Sequence, residues 1–407
     1  MDSNILIVDD QRDILRLLHS TLDTLKKTEI KIFEAPSGEE ALLESSRHKI
    51  DLLITDYKLP GMSGVELMHK VRARHPEAKV ILITGIYLTF FFKGSQEVVT
   101  YTGSYTPMHG EQVSAAYDSV LRTSFDTRGG LIIRQTHHWA ALVFVAAIVL
   151  HLGRILFTGA FRKPRETNWL VGCTLLVLAL AAGFTGYSLP DDLLSGTGLR
   201  IMDGILLAIP AIGEKLSYMI FGGEWPGEGI IGRLYPVHIM IIPGLIIMLI
   251  GAHLAMVWRQ KHTQFDGPGR TEDNVVGQAV WPGFALKSIG LLFLTAAVSV
   301  ALASVFTINA VWLYGPYVPA AATSFSQPDW YIGFADGALR LVPSGWEIEL
   351  GVYTLTLSIL IPLLVLPLFL ALVAFYPFLE AWITGDKREH HIADRPRNAP
   401  TRTAIGA

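Results

Sequence analysis

Cysteine is almost missing from this chain. Its 407 residues hold a single one, Cys173, inside an apolar run. That excludes a disulfide framework, a cysteine-rich metal centre and the C-x-x-C-H attachment of a c-type haem. Charge is scarce as well. Only 17% of residues are charged against 51% hydrophobic, and the mean hydropathy is +0.40. This is too apolar for an ordinary soluble protein, and a net charge of −3 offers no basis for binding nucleic acid. No repeat of fixed period occurs. The N-terminal "MDSNILIVDDQRD" turns acidic after a short apolar run, so no signal peptide is expected there.

What is present divides sharply near residue 85. Before it, charges are frequent and apolar runs short. After it come five long apolar stretches, at about 139–161, 169–190, 236–258, 282–313 and 352–378. Each reaches or approaches the roughly 20 residues that cross a hydrocarbon core of about 30 Å.

In the first part, "NILIVDD" reads as a buried strand ending in Asp9 and Asp10. A helical pattern follows, then "IKIFEA", a helix from Ser37, and "DLLITDYKLPGMSG", a strand ending in Asp56 before a Pro-Gly turn. A third helix over 65–74 leads to the strand "KVILIT". Alternating strands and helices imply a parallel sheet with its chemistry at the carboxyl ends of the strands, where Asp9, Asp10, Asp56 and Thr84 fall. Clustered carboxylates suit Mg²⁺, and the metal would screen a phosphoryl group arriving on Asp56. The acidic pair, "ITDYKLPGMSG" and "ILITG" resemble the receiver domain of response regulators. That resemblance implies Asp56 as phospho-acceptor, Asp9 and Asp10 as magnesium ligands and Thr84 as the switch hydroxyl. It stops at Gly85, before the family's fourth helix, fifth strand and fifth helix.

Histidines inside apolar helices are costly and mark function. Here they come in pairs: His137 and His151 are fourteen residues apart on one stretch, His238 and His253 fifteen apart on another. At about 100° per residue, these intervals leave rotations of only about −40° and +60°, with the members about 21–23 Å apart along each axis. Two such helices side by side would oppose two imidazole pairs, one near each membrane face, as six-coordinate haem iron requires. His138 lies about −140° around from His151, a poor ligand position. A bend at Pro243 would absorb the extra residue of the second interval. Between these stretches, Gly172 and Gly186 are again fourteen apart, offering two places where a flat macrocycle could approach the backbone.

From about residue 86 onward, "RGGLIIRQTHHW", "HLGR", "GYSLPDDLLSGTGLR", "AIPAIGEKL", "RLYPVH" and "QPDWY" resemble the cytochrome b subunit of quinol–cytochrome c reductases, especially the actinobacterial type. The resemblance implies a mainly α-helical, dihaem transmembrane bundle. His137 and His238 would hold the low-potential haem b, and His151 and His253 the high-potential one. Arg134 and Arg154 would lie near haem propionates. "PDWY" corresponds to the family's Pro-Glu-Trp-Tyr signature, with Asp329 in place of glutamate as proton acceptor, Tyr331 positioning the quinol ring or the docked partner, and Tyr187 and Gly198 lining the same pocket. At the quinone-reduction site the sequence departs from the family: Trp258 replaces its histidine, and its later aspartate falls near Lys287–Ser288. Implied partners are quinol (menaquinol for the actinobacterial type), membrane lipid, a Rieske iron–sulfur protein and a cytochrome c subunit, in a homodimeric complex.

Basic residues follow the first histidine stretch (Arg162, Lys163, Arg165), the second (Arg259, Lys261, Arg270) and the last span (Lys387, Arg388, Arg395, Arg397). The positive-inside rule then puts the PDWY loop and the His137/His238 pair outside, and the N-terminal domain and C-terminal tail in the cytoplasm of a cell bounded by this inner membrane. His390 and His391, in that tail, are expected to be solvated.

"KVILITGIYLTFFFKGS" carries the seam. Its first half reads as a strand and its second as the end of the family's first transmembrane helix, and thirteen uncharged residues are not expected to be both. The expected organisation is a truncated receiver-like α/β domain (1–85), the end of a first transmembrane helix with an outer loop (86–133), dihaem-binding helices (134–262), C-terminal helices with the PDWY loop (263–385) and a polar tail (386–407). The chain reads as a chimera of incomplete pieces, ending before the family's last helices. The function expected is membrane electron transfer from quinol through two b haems with proton translocation, as a quinol–cytochrome c reductase subunit. The alternatives are a membrane-tethered phospho-acceptor signalling protein and a non-functional hybrid.

Overall fold

The computed structural model describes residues 3–24, 30–56, 59, 67, 79–82, 84–227, 229–277, 279–321, 327–351 and 353–406. The chain forms two compact units, residues 1–92 with 123–133, and residues 93–122 with 134–407.

The first unit holds a parallel sheet of β1 (Ser3–Val8), β2 (Ile30–Ala35), β3 (Leu52–Thr55) and β4 (Lys79–Leu82) in the order β2-β1-β3-β4. Both faces of β1 are buried, as parallel sheets require. Leu6 and Val8 join Ala41 of α2 (Gly38–Arg47) in one cluster, while Ile5 and Ile7 join Leu15 of α1 (Arg12–Thr24) in the other. Ser37 caps α2, its hydroxyl accepting from the Glu40 N–H. The expected helix over 65–74 lies outside the described residues, apart from Leu67.

The seam differs from expectation. Residues 79–82 are strand, and a helix, α3 (Thr84–Phe91), starts two residues later. Pairing of β4 with β3 runs to Leu82 against Thr55, and Thr84 opens a helix rather than closing a strand. At about 1.5 Å per residue, eight helical residues give about 12 Å, well short of the roughly 30 Å core.

Beyond residue 92 the hairpin β5 (Val98–Thr100) and β6 (Gln112–Ser114) leads to α4 (Ala115–Phe125). Five helices are long and apolar enough to cross a membrane among the described residues: α5 (Gly130–Thr158), α6 (Glu166–Tyr187), α9 (Ile230–Gln260), α10 (Val280–Val305) and α12 (Leu357–Thr384). Two shorter helices, α7 (Leu193–Leu207) and α8 (Gly213–Phe221), follow α6, and α11 (Gly333–Leu341) precedes α12.

Two boundaries were not legible from hydropathy. The fourth span stops at Val305, eight residues before the apolar run does. The next carbonyls are claimed by α5: Trp139 Nε1–H donates to Phe306 O, and the buried Gln135 amide donates to Ile308 O while accepting the Ile308 N–H, both at 2.7 Å. The last span starts later than its apolar run because residues 353–356 form the second strand of a hairpin with Glu347–Leu350.

The tail also departs from expectation. His391 is buried, and residues 392–393 pair with Gln264–Phe265. Arg165 holds it in place, donating to the Gln260, Lys261 and His390 carbonyls and to His391 Nδ1. Four acceptors around one guanidinium fix the tail, so His391 is not solvated.

Candidate functional site

The histidine pairs meet across α5 and α9. His137 and His238 have ring centroids 6.1 Å apart with planes at 89°, and His151 and His253 are 6.4 Å apart at 75°. The unequal intervals are reconciled by a π-helical turn at Val237–Ile241, where the Ile242 N–H bonds the Val237 carbonyl five residues back. Such a turn takes up one extra residue, so a fifteen-residue interval runs in register with a fourteen-residue one. The expected bend at Pro243 is thus a wide turn just before it. Pro243 lacks an N–H and makes no demand on the carbonyl four residues earlier, which suits that turn.

Second contacts orient the rings. His238 Nδ1 lies 3.0 Å from Ala182 O on α6. A carbonyl can only accept, so Nδ1 carries the proton and Nε2 keeps its lone pair. Gly186 is the cradle for this ring: a Cβ there would come within 2.9 Å of His238 Nε2. At Gly172 the nearest atoms to an added Cβ are Leu152 Cδ2 at 3.6 Å and His253 Cε1 at 3.8 Å, ordinary contacts. The two glycines that sequence spacing equates are therefore not equivalent.

These residues fit a metal-centred group: each facing pair, at 6.1 and 6.4 Å between ring centres, would leave room for an ion bonded to one nitrogen of each ring at about 2 Å. Arg134 lies near the first pair's end of α5, donating to Asn309 O at 3.2 Å and stacking over Trp312. Arg154 is exposed one turn beyond His151.

A second constellation joins the start of α5 to the PDWY loop. Asp329 receives the Tyr331 hydroxyl at 3.0 Å, and His138 Nε2 approaches both its carboxylate oxygens, at 2.8 and 2.9 Å. Tyr331 is 3% exposed and packs with Leu142, Val145 and Ala179. Gly183 leaves room for its ring on α6. Burial first, then the Asp329 charge, holds its hydroxyl far above the ordinary range. Tyr187 donates to Leu194 O at 2.9 Å, with its ring edge 2.8 Å from where a Gly198 Cβ would lie.

Nearby, Asp192 caps α7 by accepting the Ser195 N–H, and Ser195 Oγ bonds back to the Asp192 N–H. Burial pushes its carboxyl up to about 6, against the lowering effects of Ser195 and Arg134. Sequence reasoning set His138 aside as a haem ligand and missed its carboxylate partner, which lies 191 residues away. It also gave no role to Gly183.

In the first unit, Asp9 and Asp56 follow the carboxyl ends of β1 and β3, the Asp56 N–H bonding Val8 O at 2.9 Å. Asp9 is 4% exposed, and its carboxyl is raised to about 6 by burial, with additions from Asp56 and Asp10. Among the described residues no three His, Cys, Asp or Glu side chains converge to hold a metal ion. The Thr84 side chain lies outside the described residues.

Comparison with known proteins divides the chain the same way. A family described as Cytochrome b(N-terminal)/b6/petB matches residues 142–316, and the Response regulator receiver domain matches residues 5–88. The cytochrome bc1 complex cytochrome b subunit of Streptomyces coelicolor is 54% identical over 327 residues, covering 80% of this chain and 60% of that protein. Its counterpart from Mycobacterium tuberculosis is 51% identical over 329 residues, covering 81% and 60%. The chain thus spans about 60% of the length of these relatives. A solved structure, a hyperthermophilic respiratory Complex III, shares the fold: TM-score 0.61 at 20% identity, over 80% of this chain and 76% of that one. With five membrane-length apolar helices and these relatives, the chain is an integral membrane protein.

Proposed function

Because its membrane part is homologous to cytochrome b subunits, preceded by receiver-domain sequence, we propose that this chain carries electrons from quinol across the membrane within a cytochrome bc-type complex. The observation that carries this reading is the pair of interhelical imidazole contacts at 6.1 and 6.4 Å on the same two helices. His137 with His238, and His151 with His253, would each hold one haem b, Arg134 and Arg154 would face propionates, and Gly172 would flank the second macrocycle. When bound, haem b supplies a one-electron carrier at each pair. Fourteen residues of α-helix separate the two sites by about 21 Å.

The protein's own groups handle the proton. Asp329 accepts the proton that a quinol hydroxyl loses on oxidation, at a carboxylate oxygen already within hydrogen-bond reach of Tyr331. Tyr331, kept neutral by burial, orients that oxygen, and Tyr187 closes the pocket wall. The positive-inside rule puts this site and the His137/His238 pair on the outer face of the cytoplasmic membrane, with protons released outward. An iron–sulfur protein, a cytochrome c subunit and a second copy of the chain are the partners this role requires, and menaquinol is the favoured substrate. The test is redox spectroscopy of membranes containing the full chain. Two b-type components per chain, reduced by menaquinol, are expected; a single component or none refutes the reading.

The first unit suggests a second, separate role. On the receiver-domain reading, Asp56, which follows β3 with Asp9 near it, would accept a phosphoryl group, and Asp9 and Asp10 would hold Mg²⁺. Incubation with acetyl phosphate and Mg²⁺ should add one phosphoryl mass that Asp56→Asn abolishes.

A further inference from the structure

One turn of α5 carries two adjacent histidines that serve different neighbours. His137 faces His238, while His138, about 100° further round the helix, reaches Asp329. His138 and Asp329 are largely buried, with side chains 15% and 12% exposed. The Nε2 atom lies nearly equidistant from both carboxylate oxygens, at 2.8 and 2.9 Å, and a single N–H shared in this way fixes the plane of the carboxylate as well as its position. A second partner, the Tyr331 hydroxyl, comes from two residues along the same loop. Tyr331 anchors that loop by packing against Leu142, Val145 and Ala179, and His138 adds a hydrogen bond to the carboxylate from the helix turn that presents His137.

We propose that His138 is a positioning residue for quinol oxidation: its Nε2–H orients the Asp329 carboxylate. The backbone segment that sets one metal-facing imidazole therefore also sets the group that takes the proton. The proposal rests on the role given to Asp329 above and adds a residue to it. His138 itself neither binds metal nor touches quinol. Its contribution is geometric, and misplacement of a reacting group by about 1 Å costs about a hundredfold in rate.

The test compares His138→Leu, which removes the N–H, with His138→Gln, which keeps an N–H at similar reach, in the complex containing the full chain. In His138→Leu, kcat for quinol oxidation should fall at least about tenfold with KM within about twofold and both haem bands intact. His138→Gln should recover most of the lost turnover. In an Asp329→Asn background, His138→Leu should cost nothing further. Normal turnover in His138→Leu beside a slow Asp329→Asn, or additive losses, overturns the proposal. Should His138→Leu lose haem, the Gln variant decides: turnover as slow as that of Asp329→Asn overturns it. Should Asp329→Asn itself turn over normally, the proposed role of Asp329 fails, and positioning is read directly by electron cryo-microscopy. A displaced Asp329 side chain in His138→Leu supports the proposal, and an unmoved one refutes it.

Discussion

His238 donates its Nδ1–H to the Ala182 carbonyl 3.0 Å away, so α6 sets the ring that α9 carries toward His137. A ring held through one nitrogen offers the other in a fixed direction, as orienting contacts to metal-bound histidines do. His137→Ala and His238→Ala should therefore remove the same b-type component, and His151→Ala and His253→Ala the other. Difference spectra and redox titration of membranes check this. Retention of both components in any one variant contradicts the pairing.

Gly186→Ala and Gly172→Ala should part company. The first puts a methyl group 2.9 Å from His238 Nε2, and overpacking of that kind costs about 1–3 kcal/mol. The second meets nothing closer than 3.6 Å in the chain itself. The Gly186 variant should lose or shift the component held by His137 and His238 and leave the other unchanged. Equal effects of the two substitutions on that component would show that the histidine is not what Gly186 accommodates.

Asp329→Asn keeps the side chain's shape but cannot take up a proton at neutral pH. Quinol oxidation should slow about a hundredfold with haem content unchanged. Tyr331→Phe, which deletes one hydrogen bond and leaves the carboxylate, should slow it much less. Stopped-flow reduction of the b haems by quinol separates the two. A larger loss in the phenylalanine variant would move the principal role to Tyr331.

Gln135→Leu should destabilise the membrane unit. It strips the Ile308 N–H and C=O of partners at a buried position, a cost of about 1–3 kcal/mol for each group left unsatisfied. Thermal unfolding of the detergent-solubilised chain should show a lower midpoint, and an unchanged one would mean water replaces the amide.

The first unit should respond to pH through Asp9. Its carboxyl is raised from 3.8 to about 6 when folded, so the folded form holds the proton more tightly than the unfolded chain. That contribution is complete below about pH 4 and is lost as pH rises through about 6, amounting to at most roughly 3 kcal/mol. Asp9→Asn should therefore resist urea better than the parent at pH 7.5, with the gap closing near pH 4. Protection of this unit from protease reads the difference, and a gap independent of pH would rule out ionisation as its source.

Much of this was legible in sequence because it depends on periodicity. The histidine intervals determine which residues share a helix face, and a strand buried on both sides cannot hide its apolar run. What stayed hidden depends on partners distant in the chain. Nothing near Phe306 announces that Trp139 and Gln135 will take the carbonyls beyond the fourth span. The same holds for His391, which Arg165 holds in place. The helical angle between His138 and His151 carries no trace of Asp329, which approaches from another segment.

The π-helical turn at Val237–Ile241 gives α9 a form of slack. It contains His238 near its start and holds one residue more than regular winding would need. Deleting a single residue from the 244–252 stretch could be taken up by rewinding that turn, returning His238 and His253 to a fourteen-residue spacing on the same face. The matching deletion between His137 and His151 has no such reserve and would swing one imidazole about 100° away from its partner. The two ligand helices, alike in the spacing of what they hold, differ in their tolerance of a miscount.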